Sequence, residues 1–119
     1  MVMIIAKWSI LAGKHKEALA ALKILERETK EKEPYTIMYT INTPNFELTS
    51  FPTPPEAEVI FVSAWRDYAG FQEHLNGPVF QGWSKKYKHL FLTNNDNLFV
   101  TSTWLKREFG YITQEMVTP

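Results

Sequence analysis

Cysteine is absent from the 119 residues, which removes disulfides, thiolate nucleophiles, iron–sulfur clusters and Cys-ligated zinc from consideration. Neither sign of charge is in surplus. With 13 Lys and Arg against 13 Asp and Glu, the clustered positive charge that phosphate backbones demand is missing, so nucleic acid is not expected as the main partner. Long apolar runs are missing too: the opening MVMIIAKWSIL is about eleven residues, short of a membrane span, and lacks the basic flank of a secretory signal. The expectation is a soluble, cytoplasmic protein with no membrane partner. There is no G-x-G-x-x-G, no Walker loop and no H-E-x-x-H, and the three His stand apart at 15, 74 and 89. Metal and nucleotide cofactors have no visible ligand set, and none is expected.

What is present is a chain 45% hydrophobic and 14% aromatic, sized for a single domain over residues 1–119 with a core at about 2–107 and a tail at 108–119. A chain this short buries only about two thirds of its unfolded surface, so a drug-sized pocket would consume much of its core unless a second subunit helps to close it.

Val2 to Leu11 alternates with both faces apolar, which suits a central strand. After Gly13 the period becomes helical, with Ala18, Ala21, Leu22, Leu25 and Thr29 on one stripe, and Pro34 stops the helix. Tyr35–Thr43 reads as a second strand. The connection Asn42–Ala57 is rich in Pro yet carries Phe46, Leu48 and Phe51, which predicts a loop that packs back over a ligand or a partner. Glu58–Arg66 is the third strand; Asp67 caps a helix to Asn76, and Gly77-Pro78 opens another with Phe80, Trp83 and Tyr87 on one face. Lys85 to His89 reads as solvated helix surface. Asn94–Asn97 makes a turn before a fourth strand, Leu98–Arg107, and a tail with Phe109, Tyr111, Ile112 and Met116.

The order β-α-β-β-α-β is the ferredoxin-like split βαβ, an α+β fold whose antiparallel sheet carries helices on one face. Ile5, Ile37, Ile41, Ile60 and Val62 are expected on the other face, and an apolar patch of that size marks an interface. Two sheets packed face to face would make a homodimeric α/β barrel.

The stretch EVIFVSAWRDYAGFQEHLNGPVFQGW, Glu58–Trp83, resembles the signature of the antibiotic biosynthesis monooxygenase family of dimeric α/β barrels. The elements that match are Trp65 at the strand end, His74 on the following helix, the turn Gly77-Pro78, and Phe80. The family's turn usually carries Ser where this chain has Gly77, and many relatives carry a second His where it has Val79. The resemblance implies cofactor-free oxygenation of aromatic polyketides or quinols as one activity and haem degradation as another. The haem branch would need an Asn and a His at the positions held here by Ala6 and Ser84, so the resemblance favours the cofactor-free branch.

Such oxygenation requires a substrate that reduces dioxygen once deprotonated, together with a base, a donor for the anion and a dry aromatic cavity. His74, beside the apolar stripe of its helix, is the candidate base, since imidazole exchanges protons near neutrality; a structural histidine at the sheet edge is the alternative. Trp65 and Tyr39 complete the candidate catalytic set, and Trp8, Ser63, Phe71, Phe80, Trp83 and Tyr87 are the candidate substrate-binding residues, each of which could instead be core. The leading expectation is a cofactor-independent monooxygenase of secondary metabolism acting on a polyketide, anthrone or quinol. A cyclase, isomerase or lyase in the same barrel, or a non-catalytic small-molecule-binding dimer, are the alternatives.

Overall fold

The structure, a computed structural model, describes residues 1–113; Met116 and the end of the expected tail lie outside the described residues. Strand β1 (Val2–Ser9) leads through Gly13, whose φ of +79° suits glycine, into helix α1 (His15–Lys32). β2 (Thr36–Asn42), β3 (Glu58–Trp65), α2 (Tyr68–Asn76) and α3 (Pro78–Tyr87) follow. A short turn of 3₁₀ helix then precedes the hairpin β4 (Thr93–Asn94) and β5 (Asn97–Leu98), and β6 (Thr101–Leu105) completes the main sheet. The sheet order is β2-β3-β1-β6 with every pairing antiparallel, the ferredoxin-like arrangement that the alternating elements predict.

Local chemistry explains most boundaries. The α1 stripe Ala18, Ala21, Leu22, Leu25 and Thr29 is the buried face. Asp67 caps α2, its Oδ1 accepting from the Gly70 N–H at 2.7 Å, and this bond, with the Arg66 charge, holds the carboxyl below its usual range. At the α2–α3 joint a Cβ on Gly77 would lie 2.6 Å from the Glu73 carbonyl oxygen, which accounts for glycine at the turn position where the family resemblance expects Ser. Asn95 and Asp96, both at positive φ, form the tight turn of the β4–β5 hairpin.

Two expectations need correction. The fourth strand is not continuous from Leu98 to Arg107: Asn97–Leu98 pairs with Thr93–Asn94, and only Thr101–Leu105 joins the main sheet. Ile41 sits opposite Phe61 on the helix-covered face, where alternation with Tyr39 puts it, while the register shift between Thr36 and Met38 pushes Ile37 out to 57% exposure. The outer face keeps Ile5, Ile60 and Val62, with Met3 and Met38 beside them, all half-buried. The 43–57 connection, expected to pack over a ligand or a partner, leaves its apolar side chains uncovered by this chain. Phe46, Leu48 and Phe51 are all exposed, Phe51 at 93%.

Candidate active site

Between the sheet and the helices α2 and α3 lies a cavity of about 390 Å³. Its floor comes from alternate residues of the inner sheet face. Ile4 lies between Ser63 and Trp104 in one cross-strand row, and Ala6 lies between Phe61 and Ser102 in the next. The helices contribute Phe71 and His74 from α2 and Phe80 and Ser84 from α3. None of the lining residues is Lys, Arg, Asp or Glu, so the cavity suits a neutral, mostly apolar guest.

The structure brings together Trp8, Tyr39, Ser63, Trp65, Phe71, His74 and Phe80 on this cavity. Trp65 is fully buried and donates its indole N–H to Ser63 Oγ at 3.0 Å, a bond made within one strand face because the two residues are two apart. The imidazole of His74 lies 4.6 Å from the Trp65 ring, 5.5 Å from Phe80 and 5.6 Å from Tyr39, centre to centre. Trp8 forms the floor and continues into the core through Phe61 at 4.4 Å and Phe91 at 5.4 Å.

Trp83 and Tyr87 do not line the cavity. Trp83 points to the other side of α3 and donates its N–H to the Ala21 carbonyl of α1 at 2.7 Å, and Tyr87 shares that seam with Ile24 and Lys86. The helical stripe that placed them with Phe80 is wide enough to face two neighbours, sheet and helix, and only packing divides it.

Tyr39 contributes its ring to the wall. Burial, then the negative charges of Glu33 and Glu26 on α1, raise its phenol far above the ordinary value of 10.0, so it stays neutral and can donate a hydrogen bond but does not act as a base.

The feature that the sequence reading missed is Glu33. Its carboxylate Oε1 lies 2.5 Å from His74 Nδ1, and both side chains are buried, at 3% and 5% exposure. Glu33 ends α1, directly before Pro34, and a residue before proline is driven out of helical conformation; here φ is −124° and ψ is 79°. The side chain thereby leaves the solvated face that its neighbours Lys30 and Lys32 occupy. A signal was available: a carboxylate at the C-terminal end of a helix opposes the helix dipole, and one set among lysines there calls for another partner. Among lining residues that were not expected at the site, Ser102 and Trp104 follow from simple alternation on β6.

Fold and cavity together define a ferredoxin-like domain with a largely apolar cavity, free of Lys, Arg, Asp and Glu in its lining, against its sheet. The sequence profile of the antibiotic biosynthesis monooxygenase family matches residues 1–86, and the chain belongs to that family. Among solved structures, it is similar to a Deinococcus radiodurans protein provisionally assigned as an antibiotic biosynthesis monooxygenase, with 15% identity and a TM-score of 0.69 over 95% of this chain and 100% of that one. Rv0793 from Mycobacterium tuberculosis gives 16% identity and a TM-score of 0.68, covering 92% of this chain and 96% of that one. PA3566 from Pseudomonas aeruginosa gives 18% identity and a TM-score of 0.68, covering 89% and 92%. At these identities the structural likeness establishes the fold. No curated protein sequence matches the chain.

Ala6, Trp65 and Ser84 all line the one cavity, so the positions that a haem-degrading relative would use do meet in space. A methyl group and a hydroxyl stand where Asn and His would be needed. Among the described residues no group of three His, Asp or Glu could hold a metal ion, and no helix is long and apolar enough to cross a membrane.

Proposed function

We propose that the protein is a cofactor-independent monooxygenase of secondary metabolism acting on a neutral, aromatic small molecule of the polyketide, anthrone or quinol type. The observation that carries this reading is an aromatic cavity whose lining offers a single residue able to take a proton near neutrality, His74. Its Nδ1 faces Glu33, which leaves Nε2 for a ligand. In the proposed reaction Nε2 removes a proton from an activated CH₂ or phenol, and the resulting anion passes an electron to dioxygen. Recombination gives a substrate peroxide anion, to which the imidazolium returns its proton to form the hydroperoxide. Loss of water then leaves a carbonyl, so that CH₂ plus O₂ becomes C=O plus H₂O. The Trp65, Phe71 and Phe80 rings would flank a flat substrate, and a Ser63 hydroxyl already accepting from Trp65 still has its own proton to donate to an oxyanion.

The test is oxygen uptake with a panel of anthrones and quinols. His74→Ala would strand the Glu33 carboxylate without a donor, so His74→Asn, whose amide can still donate to it, is the sharper variant. It should lower turnover about 10²-fold or more while the protein stays folded. Substrate turnover without oxygen uptake would instead indicate an isomerase, cyclase or lyase, and binding without turnover a carrier.

The working form in this reading is a homodimer. Half-buried Ile5, Ile60 and Val62 on the outer sheet face, and exposed Phe46, Leu48 and Phe51 in the long connection, would each gain from burial, about 1.5–3 kcal/mol for a side chain taken fully out of water. Sedimentation at micromolar concentration should find a dimer; a monodisperse monomer overturns this part.

A further inference from the structure

We propose that Glu33 is the positioning residue of the site: its carboxylate accepts a hydrogen bond from the Nδ1–H of His74, fixes the imidazole in the tautomer whose bare Nε2 meets the cavity, and balances the imidazolium that forms when the ring is protonated. The reaction in which this matters rests on the monooxygenase reading, whereas the tautomer itself does not.

Geometry carries the inference. A buried imidazole has two nitrogens, and the hydrogen bond made by one decides the role of the other. His74 Nδ1 is committed to Glu33 Oε1 at 2.5 Å, and among the described residues Nε2 has no protein partner. In the proposed resting state the Glu33 carboxylate is ionised and only accepts, which puts the shared proton on Nδ1 and leaves the lone pair of the neutral ring on Nε2. Among the described residues His74 is also the one ion-pair partner of Glu33; Lys30 and Lys32 lie on the exposed side of α1. The other ionisable groups near the pair are Tyr39, Tyr35, Glu73 and Glu26, whose phenols and carboxylates supply no positive charge.

Charge bookkeeping then gives the mechanism its direction. In the proposed resting state the pair carries one negative charge, on Glu33. After it, carboxylate, imidazolium and substrate anion again sum to one negative charge. Proton transfer therefore moves charge within the site and creates no net buried charge, and the imidazolium stays beside the anion that it has produced.

The experiment reads the imidazole nitrogens directly in the full chain labelled with ¹⁵N-histidine, using His74→Asn to identify the His74 signals among the three His. The expected spectrum at neutral pH has a protonated Nδ1 and a bare Nε2. A protonated Nε2 with a bare Nδ1, the carboxyl then being the donor, overturns the proposal with no variant needed. The second arm is oxygen uptake with anthrone. Glu33→Gln, which keeps shape but can present its own N–H to Nδ1 and so select the other tautomer, should lower kcat about 10²-fold with KM little changed, and Glu33→Asp should recover part of the loss. Unchanged kcat in a folded Glu33→Gln protein also overturns it. If the wild-type protein takes up no oxygen with anthrone or the wider panel, the monooxygenase reading fails by itself, and the nitrogen spectrum still decides the role of Glu33.

Discussion

Trp65 and Trp83 are both buried with their indole N–H groups satisfied, yet they belong to different kinds of region. Trp65 bonds a side chain on its own strand and faces a cavity beside the buried His74–Glu33 pair. Trp83 bonds a backbone carbonyl of a different helix and closes the α1–α3 seam. The first keeps polar groups within reach of a guest in the cavity; the second spends its polar group on joining two helices. An aromatic residue is thus assigned to site or to scaffold by where its polar handle goes, since the ring itself is equally at home in either.

Substitutions can break this distinction. The largest effect is expected at the seam: Trp83→Ala should cost about 3–5 kcal/mol, a large fraction of the stability of a single domain, and is read as a drop in Tm or in the denaturant midpoint. The two Phe variants sharpen the contrast. Trp83→Phe should lower Tm by several degrees, for a loss of about 1 kcal/mol, and leave substrate KM unchanged. Trp65→Phe should do the reverse, raising KM for anthrone or quinol with a smaller change in Tm, because a shorter ring and an unoccupied Ser63 alter the wall of the cavity. Equal effects of the two on KM would remove the distinction.

The smallest effect concerns Tyr39, which lines the cavity and also borders a groove against α1. Its phenol is raised in the folded state by burial and by Glu33, whereas in the unfolded chain it ionises near 10.0. A raised folded value means that the stabilising contribution is complete below the unfolded value and declines as pH rises past it, because the unfolded state loses its proton first. Stability should therefore fall with pH above about 10, and Tyr39→Phe should flatten that slope, as followed by thermal melts in alkaline buffers.

Much of the scaffold was legible because it depends on neighbours in sequence. Alternation marked β1 as a central strand, the 3.6-residue stripe of α1 named its buried face, and Asp67 and Pro78 marked helix starts by the hydrogen bonds they can and cannot make. His74, Trp65, Ser63 and Phe71 were legible as a candidate site for the same reason, lying within a few residues of one another on a strand and the helix that follows it. The divided fourth strand was harder: the Asn95–Asp96 turn is local, but whether the residues after it pair with the hairpin or with β1 depends on reach across the sheet.

By itself, the sequence determined the order and type of the elements from β1 to α3, the buried face of α1 and the family to which the chain belongs, because propensity, capping and period act over a handful of residues. The tertiary structure alone decided that Glu33 meets His74 across 41 positions, that Trp83 turns to α1 and not to the cavity, and that Ile41 faces inward while Ile37 bulges out. These are outcomes of packing, in which a residue chooses among several neighbours that local rules leave equivalent. A carboxylate before a proline can as well face water as an imidazole; only the folding of α1 beside α2 brings the buried donor to it.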